Sequence, residues 1–250
     1  MPKILVIGDS CTDIYIYGSC DRLCPEGPIP VFNPMYEQCA AGMAENTYQN
    51  MKVFNDDVVL ITNNEDITKT RYIDEKTNQL LLRIDCNDKC NRIDQKHIQQ
   101  IQQHEYDAII ISDYNKGFLS DEDIIEISYS SPMSFLDSKR LLTEEIIRSF
   151  CMIKLNEYEW KQNEQIVSLF PDKFVITLGS KGVKFKSSTY LPTKVCQTFD
   201  VSGVGDVFIA ALSSFIIQGS TIEDAIKLAQ ECCQKVIQRK GTCVYEKNMD

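Results

Sequence analysis

Short apolar runs alternate with amphipathic stretches along most of this chain. Ile4 to Ile7, Ala108 to Ile111, Ser134 to Leu136, Cys151 to Ile153 and Phe174 to Ile176 read as strands buried on both faces. Asp94 to His104, Asp121 to Ser128, Thr143 to Ser149 and Glu157 to Leu169 carry the period of surface helices. Two longer helices are predicted over Gly203 to Gln218 and Thr221 to Gln238, the second opened by a box-like pair, Thr221 and Asp224. Strands alternating with helices imply right-handed crossovers, hence an α/β fold with a mostly parallel sheet covered on both sides. Val183 to Lys186 and Tyr190 to Val195 read as antiparallel strands at one edge.

Four further segments fall outside that alternation. Ile14 to Tyr17, Ile29 to Tyr36, Lys69 to Ile73 and Leu80 to Ile84 are β-like, and Asp74 to Asn78 predicts a hairpin between the last two. They predict a small second sheet, inserted at about residues 14–38 and 68–85 of a single domain spanning 1–250. A parallel sheet binds ligands at the carboxyl ends of its strands, so a second sheet above that rim acts as a lid.

Composition adds mainly exclusions. With 43% hydrophobic and 25% charged residues in a 250-residue chain, a large core is available. A formal net charge of −10 argues against nucleic acid or an anionic membrane as partner. No apolar run is long enough to span a bilayer, and no secretory signal is recognisable, which predicts a cytoplasmic protein. Eleven scattered cysteines then read as reduced thiols. Cys86 and Cys90 followed by His97 and His104 match a zinc pattern only loosely, and the histidines sit in a Gln-rich amphipathic stretch that faces solvent.

The run Phe199-Asp-Val-Ser-Gly-Val-Gly-Asp-Val-Phe208 carries the chemistry. Phe208, Ile209, Ala211, Leu212 and Phe215 repeat at helical spacing, which puts Gly203 to Asp206 at a helix N-terminus. Unpaired N–H groups and the positive end of the helix dipole suit a phosphate there. Asp206 is then placed to take a proton from a hydroxyl whose phosphoryl acceptor position is lined by amides. A Gly-rich turn with an acidic residue in its first helical turn is the other reading of the same residues.

Several motifs occur in one order along the chain. They are Gly8-Asp9-Ser-Cys-Thr-Asp13, Pro25-Glu-Gly-Pro-Ile-Pro-Val31, Gly42-Met-Ala-Glu-Asn46, Thr70-Arg-Tyr72 and Leu82-Arg-Ile-Asp85. Ser112-Asp-Tyr-Asn-Lys-Gly117, Asp137-Ser-Lys139, Lys154-Leu-Asn-Glu-Tyr-Glu159, Thr177-Leu-Gly-Ser-Lys-Gly182, Asp200 to Asp206 and Lys240-Gly-Thr242 follow. The collinear set resembles the phosphofructokinase-B/ribokinase family of sugar kinases. The Pro-Glu-Gly-Pro-Ile-Pro and Ser-Asp-Tyr-Asn-Lys-Gly runs resemble its D-glycero-D-manno-heptose 7-phosphate kinase branch.

The resemblance implies a ribokinase-like three-layer α/β/α sandwich with a β-sheet lid. It implies ATP-dependent phosphorylation of a sugar-phosphate hydroxyl, with Asp206 as base and Gly203, Val204 and Gly205 as anion hole. Val204 stands where the family usually has Ala. Asp13, expected in a loop after the first strand, corresponds to a family sugar ligand, although a turn-capping Asp fits the residue equally. Gly42 and Asn46 correspond to the sugar site, where Met43 replaces a second glycine and a helix-surface amide is the plain alternative for Asn46. Arg71, Lys116 and Lys139, with Lys69 and Arg83, fall on the lid or strand-end loops and together favour a phosphorylated sugar. Asn156 and Glu159 correspond to a pair that positions Mg²⁺ and ATP through water, and their spacing equally fits a capping pair.

Thr177, Gly179 and Gly182 correspond to the nucleotide site. The purine pocket is expected near Lys194 to Thr198 and the last helix, where Ala229-Gln230 replaces a small residue plus Asn. Asp200 and Ser202 with the backbone near Lys240 resemble the monovalent-cation site of some relatives. The segment after Asn50 is shorter than the family's by one crossover helix, which exposes a sheet edge or favours a dimer. A homodimer through the lid is the expected assembly. A kinase of another sugar or nucleoside and a non-catalytic sugar- or nucleotide-binding relative are the alternatives.

Overall fold

In the computed structural model, which describes residues 1–192 and 201–246, the predicted alternation becomes an eight-stranded sheet with helices on both faces. The elements in chain order are β1 (Ile4–Gly8), β2 (Ser10–Ser19), β3 (Asn33–Met43), α1 (Ala44–Phe54), β4 (Val58–Thr62), β5 (Thr68–Asp74) and β6 (Gln79–Cys86). Then come α2 (Gln95–Gln103), β7 (Ala108–Asp113), α3 (Asp121–Ser128), β8 (Ser134–Ser138), α4 (Glu144–Ser149), β9 (Met152–Asn156), α5 (Glu157–Gln162) and α6 (Glu164–Val167). The last are β10 (Phe174–Thr177), β11 (Val183–Phe185), β12 (Ser188–Tyr190), α7 (Val204–Ile217) and α8 (Ile222–Val236).

The large sheet runs β12-β11-β10-β9-β8-β7-β1-β4. Its pairings from β10 to β4 are parallel, and β11 and β12 are antiparallel at one edge. Successive strand residues feed opposite cores. Ile4, Val6, Ala108, Ile110 and Phe135 pack with α1, α7 and α8, while Leu5, Ile7, Ile109, Ile111 and Leu136 pack with α2, α3 and α4. This two-sided burial is why these strands read as unbroken apolar runs.

The second sheet has the order β3-β2-β5-β6. Its strands are longer than the predicted cores. The stretch Ile29 to Phe32 lies outside β3, which starts at Asn33 and runs on to Met43. Asp13 belongs to β2 rather than to a loop, because only Asp9 separates β1 from β2. The segment after Asn50 still supplies a strand, β4, which pairs with β1 at the sheet edge before the chain enters β5 with no intervening helix. All five β4 residues are half-buried. The predicted helix from Glu157 to Leu169 is two short helices. Asn163 ends the first, its side chain accepting from the Leu142 N–H (2.8 Å) and donating to Glu159 O (2.9 Å). The strand expected from Tyr190 to Val195 ends at Tyr190 within the described residues. The Lys194–Thr198 turn and Asp200 lie outside them.

Candidate active site

Helix α7 begins at Gly203, whose φ of 73° is left-handed and suits glycine. A Cβ there would lie 2.6 Å from Asn46 Nδ2 and 2.7 Å from Thr242 Cγ2, so the turn sits hard against α1 and the 240–242 segment. Three residues on, Asp206 is 1% exposed. Asn46 Nδ2 donates to its Oδ2 (2.9 Å) and Tyr114 Oη to its Oδ1 (2.7 Å). Burial raises its pKa to about 6, the Asp137 carboxylate pushes the same way, and the two donors with Lys154 pull against them. A carboxylate with that pKa is ionised near neutrality yet basic enough to accept a proton.

Asn46 is held in turn by Asn50, whose Nδ2 donates to Asn46 Oδ1 (3.0 Å) and Asn46 O (2.8 Å). Its amide therefore orients Asp206, a role its spacing on a helix did not reveal. Lys154, on β9, was not singled out from sequence. Its Nζ is 2.8 Å from Asp137 Oδ2, both groups are buried, and a Cβ on Gly205 would lie 2.9 Å from that ammonium. A buried cation thus stands against the turn whose first-turn amides open the helix, and the two together favour an anion there. The signal was available, since a lysine inside an apolar strand run needs a buried partner.

Two more predicted residues meet at the other side of this turn. Asp13 accepts from Arg71 Nη1 (2.5 Å) at one oxygen and from Thr242 Oγ1 (3.2 Å) at the other. Gly42 makes that possible, because a Cβ there would lie 2.7 Å from Asp13 Oδ2 and 2.6 Å from Cys11 Sγ. Met43 has a φ of 62° at the N-cap of α1, a strained value for a bulky residue at the place of the missing glycine. Its Sδ lies 2.9 Å from Lys69 Nζ. Lys69 is buried, its Nζ also lies 5.3 Å from the Tyr114 ring centroid, and it has no carboxylate in salt-bridge range among the described residues. Lys116 instead pairs with Asp88 (2.5 Å).

A cleft of about 880 Å³ leads away from Asp206. Tyr114, Lys139, Lys154 and Gly203 to Gly205 line its inner end; Asn156, Thr177, Gly179 and Gly182 line its wall; and Gln230, Cys233 and Ile237 of the α8 side line its far end. Gly182, with a φ of 91°, lets Tyr190 O approach to 2.1 Å of a Cβ position. Gln230 Nε2 donates to Tyr190 O (3.0 Å), and its buried Oε1 has no partner among the described residues. Asn156 and Glu159 form a reciprocal capping box at the start of α5. Glu159 Oε1 also takes Lys139 Nζ (2.5 Å), and Lys139 is 3.7 Å from Asp137 Oδ1, so these carboxylates hold the ammonium protonated. No cluster of three His, Cys, Asp or Glu side chains suited to a metal occurs among the described residues. None of their helices is long and apolar enough to cross a membrane.

Comparison with known proteins agrees with this geometry. Two curated proteins called bifunctional protein HldE, from Nitratiruptor sp. and Helicobacter hepaticus, are 26% and 28% identical over 96% and 97% of the chain. The chain spans 62% of the length of each. The ribokinase of Arabidopsis thaliana complexed with ribose and ATP superposes with a TM-score of 0.70 at 17% identity, over 99% of this chain and 97% of that one. Phosphofructokinase-2 of Escherichia coli, in complex with substrates and products, does so at 0.74 and 12%, over 98% and 96%. These likenesses make the fold ribokinase-like. Residues 142–248, which carry Lys154, the glycine turn and Asp206, match the pfkB family carbohydrate kinase profile.

Proposed function

We propose that this chain transfers the γ-phosphoryl group of ATP to a hydroxyl of a sugar phosphate, with D-glycero-D-manno-heptose 7-phosphate as acceptor and the 1,7-bisphosphate as product. The observation that carries the reading is the buried Asp206 carboxylate beside the Gly203–Gly205 turn and the Lys154 ammonium. Asp206 accepts the acceptor's proton as its oxygen bonds to the γ-phosphorus and the bridging bond to ADP breaks. The first-turn amides and Lys154 stabilise charge on the transferred group. The cleft from Lys139 to Gln230 holds the nucleotide. Mg²⁺ bound with ATP neutralises phosphate charge. Glu159 already has a partner at each oxygen, which fits contact to that ion through water rather than direct ligation.

The sugar lies under the lid, against Asp13. A phosphorylated sugar is favoured by Lys69, a buried ammonium whose near neighbours are a thioether and an aromatic ring. Such a group gains much from an incoming dianion. The names of the curated relatives support the heptose branch. A monovalent cation near Ser202 and a homodimer through the lid complete the proposal, together with a cytoplasmic location.

The test is an ATP-consumption assay over a panel of sugars and sugar phosphates. Heptose 7-phosphate is expected to turn over well above its unphosphorylated form. Equal rates for the two would remove the phosphate from the proposal, and ATP consumption with none of the panel would remove the acceptor class.

A further inference from the structure

Tyr114 is an alcohol already seated on the base. Its Oη donates to Asp206 Oδ1 at 2.7 Å, at the inner end of the nucleotide cleft that it also lines. The hydroxyl of an acceptor held under the lid has to reach the same carboxylate.

The surrounding loop is built to hold the phenol there. The Tyr114 and Phe118 N–H groups donate to the buried Asp9 carboxylate (2.7 and 3.3 Å), and the Asn115 N–H donates to Asp113 Oδ1 (3.1 Å). Asp113 is clamped by Arg140 (2.6 and 3.0 Å) and Ser138 (2.6 Å). Asn115 and Gly117 take positive φ values, 56° and 112°, to turn the chain. The ring itself lies near two ammonium groups, Lys139 at 4.9 Å and Lys69 at 5.3 Å from its centroid.

We propose that Tyr114 is a plug that stops Asp206 from activating water when ATP is bound without acceptor. The hazard follows from the proposed kinase reading, on which this inference rests. A base beside a γ-phosphoryl cradle would equally remove a proton from water. The water oxygen would bond to phosphorus, the bridging bond to ADP would break, and the proton would pass to Asp206. A phenol hydroxyl occupies about the volume of one water and already satisfies Oδ1. Water has only that one contact to offer in exchange. A sugar is bound through several hydroxyls at once, Asp13 among its partners, so it displaces the phenol where water does not.

The test is phosphate release from Mg-ATP with no sugar present, using the full chain. Tyr114→Phe keeps the ring and its lysine contacts and removes only the hydroxyl. Losing a hydrogen bond to a charged group corresponds to a rise in acceptor-free hydrolysis of about tenfold or more. The rise should vanish in Tyr114→Phe/Asp206→Asn. A loop with a merely structural role would not increase hydrolysis when loosened. Equal hydrolysis in wild type and Tyr114→Phe overturns the plug, as does a rise that persists in the double variant or a phosphoryl group found on Tyr114. This assay needs no sugar, so the plug stands or falls separately from the acceptor panel. As a second measurement independent of the variant, a wild-type complex with a non-hydrolysable ATP analogue and heptose 7-phosphate is expected to show Tyr114 Oη beyond hydrogen-bond reach of Oδ1. Retention of that bond beside a bound acceptor overturns the plug as well.

Discussion

Asp206 combines deep burial with incomplete compensation, and both its chemistry and its cost to stability follow. Its folded pKa of about 6 lies above the ordinary 3.8. The difference corresponds to about 3 kcal/mol of native-state destabilisation once the group is ionised. The sign is that of a raised carboxyl. This loss grows as pH rises from 3.8 to about 6 and is complete above that range. Asp206→Asn is therefore expected to melt no lower than wild type at neutral pH while losing ~10²–10⁴ in turnover. A clearly lower melting temperature, or near-normal turnover, contradicts the assignment. In wild type, kcat/KM is expected to fall on the acid side with a midpoint about pH 6. The Gly-x-Gly-Asp spacing before an apolar helix made Asp206 legible in sequence. Its donors were not legible, because Asn46 and Tyr114 are 160 and 92 residues away and only folding joins them.

At the scale of elements, the glycine turn and α7 act as one device. Gly203 supplies the left-handed residue, and the helix then aims its first turn at the cleft. Gly203→Ala would place a Cβ 2.6 Å from the amide that orients Asp206, at a φ of 73°. The backbone strain is worth about 1–2 kcal/mol, whereas a displaced base is worth about 10² in rate. The expected signature is a kcat loss much larger than the melting shift, measured by steady-state kinetics and thermal unfolding. A loss confined to stability would detach the turn from the chemistry. Helix α5 shows the reverse economy, in which one feature serves two ends. Asn156 and Glu159 do cap the helix, and the same box fixes Lys139 at the cleft. Periodicity located both helices but did not foresee the break at Asn163, because that break depends on a side chain satisfying Leu142, on a different segment.

At the scale of the molecule, the lid inverts the usual sorting of polar and apolar faces. Register puts Asp85, Lys69, Asp13 and Ala40 in one row, with Arg83, Arg71, Tyr15 and Gln38 in a second row on that same face. Rows on the opposite face hold Ile84, Thr70, Ile14 and Cys39, then Leu82, Tyr72, Ile16 and Glu37. Asp13, Lys69 and Tyr15 are buried, whereas Leu82 and Ile84 are 53% and 40% exposed. The face with ionisable groups thus turns inward to the site, and the aliphatic face looks out. A second copy covering that face is the proposed assembly. Light scattering is expected to give a two-chain mass, reduced to one chain by Leu82→Lys; a one-chain mass for the native protein rules the dimer out. The order of strands and helices, both cores and the glycine–aspartate turn were determined locally, since periodicity and turn chemistry are properties of neighbouring residues. Only the tertiary structure decided that Tyr114 meets Asp206, that Lys154 stands behind Gly205 and that Lys69 lies buried with no carboxylate in salt-bridge range among the described residues. Those are contacts between distant segments, and their energies depend on desolvation, which no local pattern records.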